Sequence, residues 1–343
     1  MPTGIEISRD FYAQIVKPIV AQKYPEELNR AAVGVFGTGS DTVGLDDELS
    51  RDHHWGPRVN ILMADEDYNR SGDEFLSYMR ESFPEEFDGF PIGFPKLTRG
   101  GVSVESIGHY FRCFAKMETP PLTDLDWLRT TEADLFHLTH GVVFEDASGE
   151  FTARREAFSY YPDTVWKKKI ADWCLYFTGS TSPYNVNRCS RREDFVSAEI
   201  FFGAAVKRAM ELCFLLNRSY ASYTKWLSRL LPDLPKLGKE VMPIIERAIA
   251  SRDWHERVMC LIEIAHIYAK EMHRMGLTSE PHLQEFDPTF ADLTLYESAL
   301  QLYKELPEEL LHAKFNEEEY WEYLAREVLF DTDDYFQKRL QKS

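Results

Sequence analysis

The sequence predicts an α+β protein, with an α/β domain over residues 1–150 followed by an all-helical domain over residues 151–343. Three observations carry this. Apolar runs of strand length fall at 31–36, 58–63, 102–106 and 141–144. Turn residues or helical patterns separate those runs. From about residue 152 onward helical periodicity replaces them.

Taken in order, residues 5–24 place Ile5, Phe11, Ile15 and Ile19 near helical spacing, with a bend expected at Pro18. Strands over 31–36 and 58–63 flank a glycine-rich acidic loop. A helix over 67–83 puts Phe75, Tyr78, Met79 and Phe83 on one side, and a proline- and glycine-rich loop follows over 84–101. Val102-Ser103-Val104-Glu105-Ser106 alternates apolar with polar, as a half-buried strand does. Helices are expected over 107–116 and 131–139, and a strand over 141–144 that ends in the turn sequence Asp146-Ala147-Ser148-Gly149. In the helical domain, 195–216 reads as a buried helix, with further helices over 220–231, 236–250, 254–275, 289–304 and 316–340. Leu234-Pro235 and Gly276-Leu277-Thr278 mark stops.

Composition narrows the partners. Hydrophobic residues make up 44% of the chain, enough for a packed core. A net charge of -18 argues against binding duplex nucleic acid, which needs a basic face. Five cysteines without a C-x-x-C pair read as reduced thiols, so a cytoplasmic protein is expected. Nothing near Met1 resembles a signal peptide, and no apolar run approaches the length that spans a membrane.

The chemistry concentrates between Gly37 and Arg58. Gly39-Ser40 follows the first strand as a tight turn able to offer backbone N–H groups and a hydroxyl to a phosphate, although ordinary turns share that pair. No G-K-[ST] follows, so it is not a P-loop. Asp46, Asp47, Asp52, His53 and His54 then crowd before the second strand. Asp52 and His54, two residues apart, share a face there and can hold one ligand. Glu105, on the same face of its strand as Ser103, is a candidate third carboxylate for a hard cation. Arg218 and Lys225, after the buried helix, are the cations best suited to a triphosphate, with helix-end dipole complementation as the plainer account. Arg154 and Arg155 are a weaker pair. His137, His140, His266, His273 and His282 read as packed or surface residues.

A glycine-serine turn followed by an acidic D-x-[D/H] at the next strand resembles the DNA polymerase β-type nucleotidyltransferase superfamily, which includes the aminoglycoside nucleotidyltransferases. More narrowly, four pieces resemble the bacterial domain-of-unknown-function family DUF4037. They are Gly44 through Arg58, Trp127-Leu128, Arg155 through Tyr161-Pro162, and Asn217-Arg218 to Lys225-Trp226. The resemblance implies a nucleotidyltransferase-like mixed sheet with flanking helices, followed by a helical bundle. It implies that Gly39 and Ser40 hold a nucleoside triphosphate, that Asp52 is the first metal carboxylate, and that Glu105 is the third. The second acidic position falls on His54. Imidazole suits manganese or zinc better than magnesium, so the metal expected is magnesium or manganese, with zinc open. Asp46 or Asp47 is an alternative ligand. The helical domain of related enzymes can supply a catalytic base, for which Asp194 and Glu199 are the candidates. The implied reaction moves a nucleoside monophosphate onto a hydroxyl of an acceptor that the sequence does not name. Two other readings stay open: a catalytically inactive nucleotide- or ligand-binding or regulatory module on the same fold, and a metal-dependent hydrolase using Asp52, His53 and His54.

Overall fold

The computed structural model describes residues 2–51, 55–94, 101–178, 183–283 and 295–332. It divides into two compact units, residues 1–122 with 134–159, and residues 123–133 with 160–343. The first unit therefore runs to residue 159, past the 150 expected, and an eleven-residue stretch before Asp134 belongs to the helical unit.

The chain opens with α1 (Gly4–Phe11), a π-helical turn (Tyr12–Val16), α2 (Lys17–Lys23) and α3 (Pro25–Arg30). Thr3 and Glu6 form a capping box at the start of α1. Pro18 lies at the start of α2, which continues without a break from the π-helical turn, and it lacks the N–H that an interior helical residue donates. The widened turn just before it absorbs the missing bond, so the expected bend appears as a π turn. There follow β1 (Ala32–Phe36), β2 (Val59–Met63), α4 (Asp65–Ser82), β3 (Glu86–Phe87), β4 (Phe90–Pro91), β5 (Val102–Ser106), α5 (Ile107–Ala115), α6 (Asp124–Trp127), α7 (Glu132–Thr139), β6 (Gly141–Asp146) and α8 (Glu150–Glu156).

Four strands form one sheet in the order β5-β2-β1-β6. β1 is antiparallel to β2 and to β6, whereas β2 and β5 are parallel, so the sheet is mixed. Val33, Val59, Ile61, Met63, Val102 and Val104 form a core with Phe11, Val16 and Val20 from the first helices and Phe75 and Met79 from α4. Alternation along the strands produces that face. Elsewhere in the unit Phe36, Tyr110, Phe111 and Phe151 pack ring against ring. The loop expected over 84–101 contains a two-residue hairpin, β3 to β4, turned by Asp88 (φ 50) and Gly89 (φ 77). Both positive angles match the mirror-image turn that hairpins prefer.

The second unit is helical: α9 (Asp163–Thr178), α10 (Pro183–Arg191), α11 (Phe195–Leu216), α12 (Thr224–Leu230), α13 (Gly238–Ala250), α14 (Trp254–Arg274), α15 (Tyr296–Tyr303), α16 (Glu308–Leu311) and α17 (Tyr320–Thr332). The helix expected over 220–231 starts late, because Tyr220 to Tyr223 precede its first turn. Parts of the helices expected over 289–304 and 316–340 lie outside the described residues. Among the described residues no helix is long and apolar enough to cross a membrane.

Candidate functional site

The turn after β1 is held by a buried ion pair. Asp41 begins a short 3-10 turn (Asp41–Val43) that ends on left-handed Gly44. Its carboxylate accepts from Arg58 Nη1 at 3.1 Å, and neither side chain is more than 3% exposed. Arg58 also donates to the Phe36 carbonyl that ends β1, and its own amide donates to Ser8 Oγ at 3.2 Å. Burial raises the Asp41 carboxyl above its ordinary range, and the Arg58 guanidinium pulls it back down.

Gly39 is shaped by this pair. With φ +143 it adopts a backbone that L side chains rarely take, and a Cβ there would meet Asp41 Oδ1 at 2.2 Å and Arg58 Nη1 at 2.5 Å. Ser40 gives its carbonyl to Leu45 N at 2.8 Å, while its hydroxyl has no hydrogen-bond partner among the described residues. Thr42 Oγ1 donates to the Gly39 carbonyl at 2.8 Å. The result is a rigid turn whose second residue keeps a spare hydroxyl.

The strands beside the turn are cross-tied. Asn60 Oδ1 accepts from Phe36 N at 2.8 Å, and Asn60 Nδ2 donates to Ser103 Oγ at 2.7 Å. One buried amide thus links β1, β2 and β5 at the end of the sheet from which the turn departs. Sequence reasoning passed over Arg58 and Asn60. The signal available was a charged and a polar residue bracketing the start of an otherwise apolar strand.

The remaining carboxylates of the loop are engaged locally. Asp46 Oδ2 accepts from Gly4 N at 2.6 Å and from Trp55 Nε1 at 3.1 Å, which ties the loop to the N-terminus of α1. Asp47 Oδ1 accepts from Ser50 N at 3.0 Å and Ser50 Oγ at 2.9 Å. Asp52, His53 and His54 lie outside the described residues. Among the described residues no group of three or more His, Cys, Asp and Glu is placed to hold a metal ion.

Glu105 does not join the turn. Pairing sets it against Leu62, with Val102 against Val59, three residues nearer the start of both strands. Glu105 is thus about 10 Å along the sheet from the end that carries Gly39 and Ser40. Its near neighbour is His109, 3.7 Å away one helical turn on.

Within the helical unit the four candidate residues divide between two places. Asp194 caps α11, accepting from Ser197 N at 3.1 Å, and the Ser197 hydroxyl together with that amide holds its carboxyl below the ordinary range. Glu199 pairs with Arg257 at 2.7 Å. Arg218 follows the other end of the helix, paired with Asp163 at 2.7 Å and stacked 3.7 Å from the Trp166 ring. Lys225 lies 4.8 Å from the Trp226 ring. α11 has 22 residues, so about 33 Å separates its two ends. Asp194 and Arg218 therefore cannot line one small site.

The fold is that of an α+β protein with a glycine-serine turn, fixed by a buried ion pair, at one end of a mixed sheet. Residues 127–227 match the family model of a domain of unknown function, DUF4037. Three of the four pieces that resemble this family fall inside the match, and the loop from Gly44 to Arg58 falls outside it. No curated protein matches the chain. Among solved structures, the chain is similar to a nucleotidyltransferase-like protein from Exiguobacterium sibiricum 255-15, at 11% identity, over 79% of this chain and 78% of that one, with a TM-score of 0.35.

Proposed function

We propose that this chain is a nucleotidyltransferase-like protein that binds the phosphates of a nucleoside triphosphate at Gly39 and Ser40. The observation that supports the reading is the turn itself: it is fixed by the Asp41–Arg58 pair, it is closed to any residue larger than glycine at position 39, and it ends in the uncommitted Ser40 hydroxyl. A rigid donor turn binds an anion without a large ordering cost. Asp52 and His54 would hold the divalent cation, whose chemistry is to neutralise charge on the phosphate oxygens. The acceptor is a hydroxyl. Its oxygen forms the new bond to the α-phosphorus, the bond to the departing pyrophosphate breaks, and a carboxylate takes the proton.

Asp52→Asn is expected to abolish pyrophosphate release in magnesium, manganese and zinc alike while leaving the far-ultraviolet spectrum unchanged. Ser40→Ala is expected to weaken triphosphate binding by about tenfold, the loss of one hydrogen bond to a charged group. Unchanged release in the Asp52 variant would overturn the reading. A second reading, a binding module without turnover, is favoured by one observation: Asp41, Asp46 and Asp47 each already commit an oxygen, to Arg58, to Gly4 and Trp55, and to Ser50. Nucleotide binding without pyrophosphate release with any of the three metals would support it.

A further inference from the structure

α11 has a second apolar face that its own unit leaves uncovered. The sequence reads residues 195–216 as one buried helix, and from Ala205 onward the structure agrees: apart from Lys207 and Glu211, every residue to Leu216 is buried. Ala198 and Phe202 carry the same buried side into the first half of the helix. Away from that side, Val196 is 75% exposed, Ile200 67% and Phe195 51%. A helix that is apolar all round belongs in an interior. The first half of α11 is not in one.

Gly203 sits at the middle of the exposed face. At about 3.6 residues per turn, Val196, Glu199, Ile200 and Lys207 all point within about 60° of the Gly203 direction, with Phe195 just beyond. Gly203 is itself exposed, and a Cβ there would meet nothing within 4 Å. Glycine inside a helix costs stability relative to alanine. No neighbour within the chain needs the space, so what the glycine permits is a close approach from outside, since helix axes draw nearer when the contact residue is small.

The charges on the face say what approaches. When a helix crosses a second copy of itself antiparallel about a two-fold axis, the residue on the axis meets itself, and residues equally spaced before and after it meet each other. With Gly203 on the axis, Glu199 of each copy faces Lys207 of the other, and the contact is made twice. Both side chains are about half exposed. Within the chain Glu199 pairs with Arg257 at 2.7 Å and Lys207 with Glu211 at 3.2 Å. Each contact across the axis therefore completes a row of alternating sign: Arg257, Glu199, Lys207, Glu211. A parallel crossing in the same register would set Glu199 against Glu199 and Lys207 against Lys207, which repels. Trp254, stacked on Phe195 at 6.3 Å, widens the apolar rim.

We propose that the exposed face of α11 is the interface of an antiparallel two-fold dimer of this chain, with Gly203 on the axis, Val196 and Ile200 covered beside it, and Glu199 paired with Lys207 of the partner subunit. One helix face is small for a permanent interface, and each copy carries a net charge of -18, so an association of micromolar strength is expected.

The test is sedimentation of the full chain from micromolar to submillimolar concentration. The wild-type chain should show a reversible monomer–dimer equilibrium. Gly203→Leu should weaken it at least about tenfold with an unchanged far-ultraviolet spectrum, because the new side chain has space in the monomer and none on the axis. Glu199→Lys and Lys207→Glu should each weaken dimerisation, since like charges then meet twice. Mixing those two variants should restore it, because in the mixed dimer both contacts regain opposite signs. If Gly203→Leu does not fold, the two charge reversals and their mixture decide. A chain that stays monomeric over the whole range, a dimer that Gly203→Leu leaves intact, or a mixture of the charge variants that remains monomeric would each overturn the proposal.

Discussion

At the scale of single residues, Asp41 and Arg58 matter most to the turn. Both are nearly or wholly buried, and each neutralises the other. Asp41→Ala would leave a guanidinium uncompensated in the interior, so a loss of about 3–5 kcal/mol in urea unfolding is expected. Replacing both residues with apolar ones of similar volume should recover part of that loss. Gly39→Ala is expected to destabilise as well, because the new methyl group would collide with both partners. The sequence shows Gly39 and Ser40 as a turn, but not the reason for the glycine. That reason is an ion pair between residues 17 positions apart, which no local pattern encodes. Aspartates at 46 and 47 looked like metal ligands by residue type. In the fold they are loop fasteners, a role that depends on where Gly4, Ser50 and Trp55 come to lie.

At the scale of elements, the four main strands were legible because alternation and apolar runs report burial directly. What alternation does not report is register. Glu105 shares a strand face with Ser103, as read, yet pairing with Leu62 carries it away from the turn. The β3–β4 hairpin was read as part of a loop, although Asp88-Gly89 between two phenylalanines is a hairpin signal. It was hidden among the prolines and glycines around it. α9 was the hardest helix to anticipate: Lys168, Lys169 and Asp172 imitate a solvated face although all three are buried. Asn60 tests the sheet. Asn60→Ala removes the acceptor of Phe36 N and the donor to Ser103, so a loss of about 1–3 kcal/mol for the orphaned Phe36 amide alone is expected in chemical denaturation.

At the scale of the whole molecule, the helical domain was evident from periodicity, but its extent was not. The stretch 123–133 precedes the end of the sheet in the sequence and belongs to the helical unit in space. Trp127 packs edge-on against Tyr161 at 5.6 Å, and Glu132 neutralises Lys169. A fragment of residues 160–343 would therefore keep a buried lysine without one of its two carboxylates. It is expected to lack a cooperative thermal transition, whereas adding 123–133 as a separate peptide should raise its melting temperature; a fragment as stable as the full chain would refute this.

That interleaving has a consequence for biosynthesis. Glu132 and Glu317, which meet in the finished unit, are 185 residues apart in the chain. At a ribosome adding about 5–20 residues per second, Glu132 waits roughly 10–40 s for its neighbour to be made. The sheet, complete once β6 has emerged, can fold within that interval. Lys169 cannot meet Phe315 and Glu317 until they are made, so during synthesis it stays without one of its two carboxylates, and a stalled chain lacking its last 30 or so residues would lack it too.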